Sequence, residues 1–230
     1  MKTPQAPSNL SRASFPTLAP LAALVALLAL APLPLAAEAP TPPGGPPPYR
    51  PAWEFDGMPP EPEALRAEAE RLSDGSRHGE AAEAWKALAA AAEGAYGAGD
   101  PRTLAALSRM ARETEEDLGE DPGGARDAAR RAEKGLAAAF GPDSQEALFA
   151  AETTAWFALF SGEAREAREA FADIARRASG ALGPDHPLAL HARYGLGGAL
   201  WQAGKARAAA EVLRETAAAA EKALPPGHPV

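Results

Sequence analysis

Leu182-Gly183-Pro184-Asp185-His186-Pro187 recurs along the chain at near-constant spacing. Phe140-Gly141-Pro142-Asp143-Ser144 stands 42 residues before it, and Leu224-Pro225-Pro226-Gly227-His228-Pro229 stands 42 residues after it. A looser copy, Tyr96-Gly97-Ala98-Gly99-Asp100-Pro101, precedes Phe140 by 44 residues. A fixed period in this range marks supersecondary units that stack side by side, because one unit alone cannot bury its apolar face.

Between the joints the chain reads as helix, short turn, helix. The pattern predicts four pairs: 62–74 and 80–95, 101–118 and 124–139, 145–160 and 163–181, 187–203 and 205–223. Asp100 before Pro101 reads as an N-cap followed by proline at the first helical position, where the missing N–H costs nothing. Asp143 with Glu146 three residues on reads as a capping box, and Asp185-His186-Pro187 repeats the cap-then-proline device. Gly141 and Gly183 fall where helices end, as a left-handed C-cap requires. Gly162 and Gly204, 42 apart, part the two helices within a pair. The second pair has a longer turn, 119–124, which accounts for the 44-residue spacing.

These joints resemble tetratricopeptide repeats of the 42-residue variety found in kinesin light chains and many bacterial proteins. Thr103-Leu104 and Ala189-Leu190 match the family's Thr-Leu position. Gly162-Glu163-Ala164-Arg165-Glu166-Ala167 matches its Gly-to-Ala element with Ala164 in the tyrosine slot, Gly204 to Ala209 keeps the first and last residues, and Glu80-Ala81 keeps the end. The resemblance covers about residues 62–230. It implies an all-α, right-handed solenoid of four helix hairpins. It also implies that the first helix of each pair lines a concave face. That face should present Phe149, Glu152, Trp156, Leu159 and Phe160 from the third pair, and His191, Tyr194, Trp201 and Gln202 from the fourth. The second pair offers Ala105, Ser108, Arg112, Glu115 and Glu116, and the first offers Glu63, Arg66 and Glu70. The family's peptide-clamping Asn is replaced by Arg109, Thr153 and Gly195. Phe157, Phe171, Leu196 and Leu213 read as packing residues. Phe149, Trp156 and Trp201 fit either a ligand surface or the seam between repeats, since apolar residues at helical spacing serve both.

Composition narrows the function. The chain of 230 residues has no cysteine, which excludes disulfides, thiolate metal sites and a cysteine nucleophile. Its net charge of −8 argues against nucleic acid as a partner. Aromatic content is only 6% while alanine abounds, so helix should dominate and stability should come from many thin contacts. No metal-binding His-Glu-x-x-His, phosphate loop or nucleophile elbow is present. The four histidines, His78, His186, His191 and His228, lack a ligating spacing, and the carboxylates alternate with Arg and Lys as on a solvated helix face. No catalytic residue, cofactor or metal is expected. A protein or peptide partner is.

The N-terminus reads as an export signal: Lys2 and Arg12 are the only charges before Glu38, and the apolar run 18–30 lies between. Cleavage after Ala37 is preferred, because Pro40 would follow a cut after Ala39. The alternative is a retained membrane anchor over 18–37. The expected domains are a signal peptide at 1–37, a proline-rich disordered linker at 38–61 with seven prolines between 40 and 51, and the repeats at 62–230. The expected location is periplasmic or secreted. Self-association through the fourth pair is the alternative to a monomeric binder.

Overall fold

The computed structural model describes residues 60–117 and 122–223. All regular structure among them is helical: α1 (Pro60–Asp74), α2 (His78–Tyr96), α3 (Pro101–Asp117), α4 (Pro122–Phe140), α5 (Gln145–Phe160), α6 (Ala164–Ala181), α7 (Pro187–Gln202) and α8 (Ala206–Ala223). The hairpins are therefore α1–α2, α3–α4, α5–α6 and α7–α8. The expected signal peptide, nearly all of the expected linker and the joint after α8 lie outside the described residues. Among the described residues no helix is long and apolar enough to cross a membrane.

Local chemistry places the boundaries. Asp100 Oδ1 accepts the Arg102 backbone N–H at 2.9 Å, and His186 Nδ1 accepts that of Leu188 at 3.2 Å. The expected capping box at Asp143 is corrected: Ser144 caps α5, its Oγ accepting the Ala147 N–H at 3.3 Å. Asp143 instead accepts from Arg177 Nε of α6 at 2.7 Å. The cap belongs to the residue directly before the first helical turn, and Asp143 stands one place too early. Gly141 and Gly183 adopt φ of 92° and 106°, a region in which a Cβ is strained, and so end α4 and α6 abruptly.

Each helix packs on the next in sequence, so the hairpins stack in order. Beyond those neighbours, the closest approaches join α3 to α5 and α5 to α7, first helix to first helix. First helices thus approach one another more closely than second helices do, and the side they share is the inner face. Alanine makes the spacing tight: Ala105, Ala106, Ala111, Ala150, Ala155, Ala189 and Ala192 are all buried. Larger side chains fill the seams, Trp85 and Leu88 at one end and Phe171, Ile174 and Leu188 toward the other. Gly195 lets α7 lie on the Phe171 ring, since a Cβ there would come within 2.4 Å of Phe171 Cε1. Gly195 fills one of the slots of the family's clamping Asn, and here that slot is spent on packing.

The first hairpin is tied to the second by a polar node. Ser73 Oγ donates to Glu113 Oε1 at 2.6 Å, His78 Nδ1 lies 2.8 Å from Glu113 Oε2, and Trp85 Nε1 donates to Ser73 Oγ at 3.1 Å. Each buried polar group thereby finds a partner, which is the condition for burying it.

Candidate functional site

The inner face is built from α3, α5 and α7, each contributing one helical stripe. On α3 the stripe is Ser108, Arg112 and Glu115, one and two turns apart, with Glu116 beside it. On α5 it is Phe149, Glu152, Trp156 and Phe160, and on α7 it is His191, Tyr194, Trp201 and Gln202.

The stripes meet more closely than the sequence suggests. His191 Nδ1 lies 2.5 Å from Glu152 Oε1. Arg112 Nη2 lies 3.4 Å from His191 Nε2, joining residues 79 apart across the breadth of α5. A guanidinium only donates, so His191 Nε2 accepts and Nδ1 carries the proton given to Glu152. Arg112 Nη1 lies 3.7 Å from Glu152 Oε2, Nη2 lies 3.0 Å from Glu116 Oε1, and Nε lies 3.6 Å from Glu115 Oε2. The second and fourth hairpins thus touch over the third.

This closure sorts the expected site residues. Glu152 is buried under the contact, and Trp156 is only 5% exposed. Trp156 packs edge-on to Phe171 with centroids 5.0 Å apart, stacks with Phe160 at 5.7 Å, and lies 5.3 Å from His191 and 5.8 Å from Tyr194. It is part of the seam that holds α5, α6 and α7 together. Phe160 is 43% exposed and Trp201 55% exposed. Phe149 is half-buried beneath the Arg109 guanidinium, which sits 4.7 Å above its ring. Tyr194, His191 and Arg112 are half-buried, and Gln202 is exposed while its Nε2 donates to the Leu159 carbonyl at 3.1 Å. The accessible layer is therefore Phe160, Trp201, Gln202, Tyr194 and Glu116, with Glu152 and Trp156 beneath it.

Burial shapes the electrostatics. It pushes the Glu115 carboxyl up to about 8, with Arg112 pulling the other way and Glu116, Glu152 and Glu113 adding to the rise. Arg112 is raised further above its ordinary value: burial opposes its charge, but the carboxylates of Glu115, Glu116 and Glu152 outweigh that. The Tyr194 phenol is pushed up by burial and by Glu116, which puts the α3 and α7 stripes in each other's field. Among the described residues no group of three His, Cys, Asp or Glu side chains could hold a metal ion.

Sequence reading names the members of this cluster but not their convergence. A signal is available. Glu152 and His191 are 39 residues apart, one helical turn short of the repeat, and Arg112 and Glu152 are 40 apart against a local repeat of 44. Neighbouring first helices in a tilted stack touch at that offset. The seat of Arg109 over Phe149 is likewise absent from the sequence reading, which gives Arg109 only a family slot.

Residues 155–222 match the tetratricopeptide repeat family model. Among solved structures the chain is similar to the nearly identical tetratricopeptide-like repeats of a Podosopora anserina putative kinesin light chain. The identity there is 20% and the TM-score 0.57, covering 74% of this chain and 79% of that one. A point-substituted form of the same repeats aligns at 16% identity and a TM-score of 0.42, over 72% of this chain and 98% of that one. No curated protein matches the chain. The fold is thus that of stacked tetratricopeptide-like repeats, a kind that generally serves as a scaffold for contacts between proteins.

Proposed function

We propose, from a chain whose residues 155–222 carry tetratricopeptide repeats, that it is a non-catalytic scaffold whose inner face receives a protein or peptide segment after export. The observation that carries this is the pair Phe160 and Tyr194, both resting on Trp156, which is backed by Phe171, together with the exposed Trp201 on the same helix as Tyr194. Exposed aromatic side chains on a rigid base, rimmed by polar groups such as Glu116 and Gln202, suit the anchors of a partner chain. On this surface His191 is bound to Glu152, and Arg112 is paired with Glu116 and Glu152. The export part of the reading rests on the N-terminal sequence. N-terminal sequencing of the secreted or periplasmic protein should begin at Glu38, and a chain that begins at Met1 in the membrane fraction would favour the anchor.

The test of binding uses Phe160→Ala and Trp201→Ala, both exposed, so that the fold survives. Affinity capture with the exported native protein should yield partners that the double variant loses at unchanged helicity. Retention of the same partners by the double variant would refute the inner face as the surface.

One observation favours self-association as a second reading. Leu159 is 2% exposed because α7 crosses it at Gly198, whose Cβ would meet Leu159 Cδ2 at 3.4 Å. Trp201 stands 42 residues later, at the equivalent place, and is 55% exposed. A second copy seated on α7–α8 would cover it. Light scattering over a concentration series should then show a mass that rises with concentration and falls back in Trp201→Ala.

A further inference from the structure

The inner face holds an ion cluster whose charges do not balance. Three carboxylates, Glu115, Glu116 and Glu152, face one guanidinium, Arg112. Only Glu116 keeps substantial contact with water, at 32% side-chain exposure, while Glu115 is 6% exposed. Glu115 Oε2 and Arg112 Nη1 are buried without a hydrogen-bond partner, as are Ser108 Oγ and Trp156 Nε1 nearby on α3 and α5. Buried polar atoms left unpaired are expensive, and an unpaired buried charge far more so. With a proton on Glu115, the guanidinium is balanced by Glu152 and Glu116. Without it, three anions share one cation in a place that water barely reaches.

Among the described residues Arg112 is the cation paired with Glu115 and Glu116, and Arg109 of the same helix sits over the Phe149 ring of α5. From α7 come His191, which already accepts from Arg112, and Tyr194. From α5 come Glu152 and the Trp156 ring. From α2, His78 is bound to Glu113. On α4, Arg126 and Arg130 are engaged with Glu163 and Glu166 around the start of α6. An ionised Glu115, 6% exposed, is relieved by water when α3 moves off α5 and α7.

We propose that release of one proton from this cluster opens the inner face, the closure of α3 onto α7 through Arg112 and His191 holding only while a carboxylate beside Arg112 is neutral. This deepens the binding proposal, on which its biological use rests: His191, held by Arg112, lies against Trp156, so its release makes access to that ring depend on pH. A group that binds its proton more tightly in the closed form than in the open one drives opening as pH rises through its closed-form value. The direction follows from the upward shift of Glu115, so the closed form should dominate below about 8 and yield above it.

The test needs no partner. Acrylamide quenching of Trp156 fluorescence, taken as the difference between the full chain and its Trp156→Phe variant, is followed between about pH 6.5 and about pH 9.5. Quenching should rise with a single midpoint near 8 while far-UV circular dichroism stays constant. Glu115→Gln, which is permanently neutral, should keep quenching at its low level throughout. Glu116→Gln provides a second readout that a merely structural role would not move: removing a neighbouring anion should shift the midpoint to lower pH. A flat profile in the native protein, an unchanged profile in Glu115→Gln, or a midpoint unmoved by Glu116→Gln would each overturn the proposal. So would loss of helicity at the same midpoint, which would mean unfolding. These results are independent of capture by Phe160→Ala and Trp201→Ala. A failed partner surface would leave the proton linkage standing, and a flat quenching profile would leave the partner surface standing.

Discussion

Trp156→Ala and Trp201→Ala, compared in one protein, test the account of the inner face most directly. Both residues sit on first helices, in neighbouring repeats, and the sequence leaves both between core and surface. The structure separates them. Trp156 is 5% exposed and touches Phe160, Phe171, His191 and Tyr194, residues drawn from α5, α6 and α7. Truncating a large aromatic in such a place costs roughly 3–5 kcal/mol, the lost transfer energy plus the cavity left behind. For a domain of this size each kcal/mol moves the melting temperature by about 2–4 °C, so the expected drop is about 6–20 °C. Trp201 is 55% exposed and should lose less than half as much, about 1 kcal/mol or a few degrees. Thermal melts followed by far-UV circular dichroism, at matched concentration, give both numbers. Equal shifts, or a larger shift for Trp201→Ala, would refute the claim that Trp156 is built into the seam of α5, α6 and α7.

Three further outcomes follow from the packing and the charges. Gly195→Ala should cost about 1–3 kcal/mol, because its new methyl would sit 2.4 Å from Phe171 Cε1; a denaturant midpoint equal to the native one would show that α7 can lift without penalty. Ser73→Ala should cost about 1–3 kcal/mol by stripping Glu113 and Trp85 of a buried partner, and hydrogen exchange should speed first in α1 and α2; protection lost first in α7 and α8 would contradict this. Glu115 has a folded value raised from 4.5 to about 8, so its contribution to stability is fully present below about 4.5 and is lost as pH rises toward 8. That slope amounts to a few kcal/mol in order of magnitude. Denaturant titrations should show it in the native chain and not in Glu115→Gln; parallel profiles would place the proton elsewhere.

The architecture is largely legible in the sequence. The period sets the number of hairpins, and the described helices begin and end within a few residues of the sequence expectation. The larger differences are instructive. α1 starts at Pro60, α2 at His78 and α4 at Pro122, each two residues early. The first two places lack a strong capping signal, the residue before α2 being Arg77, which makes no side-chain cap. At the start of α5 the sequence offers two capping residues in a row; residue type favours Asp143, and position decides for Ser144. The site is legible as a set of residues and not as an arrangement. Arg112, Glu152 and His191 all fall on the inner face by their helical positions. That they touch, and so hide Trp156, cannot be read from three separate helices.

The reason is one of range. By itself the sequence determined the helices, their ends and their repetition, because glycine's access to positive φ, proline at the first turn and an accepting cap act within a few residues of where they stand. It also determined the alanine-rich packing that lets hairpins lie close. Which inner-face side chains meet water is set by contacts between distant helices. That depends on how closely successive first helices approach: Gly195 seats α7 on the Phe171 ring, and Arg112 of α3 reaches His191 of α7 across α5.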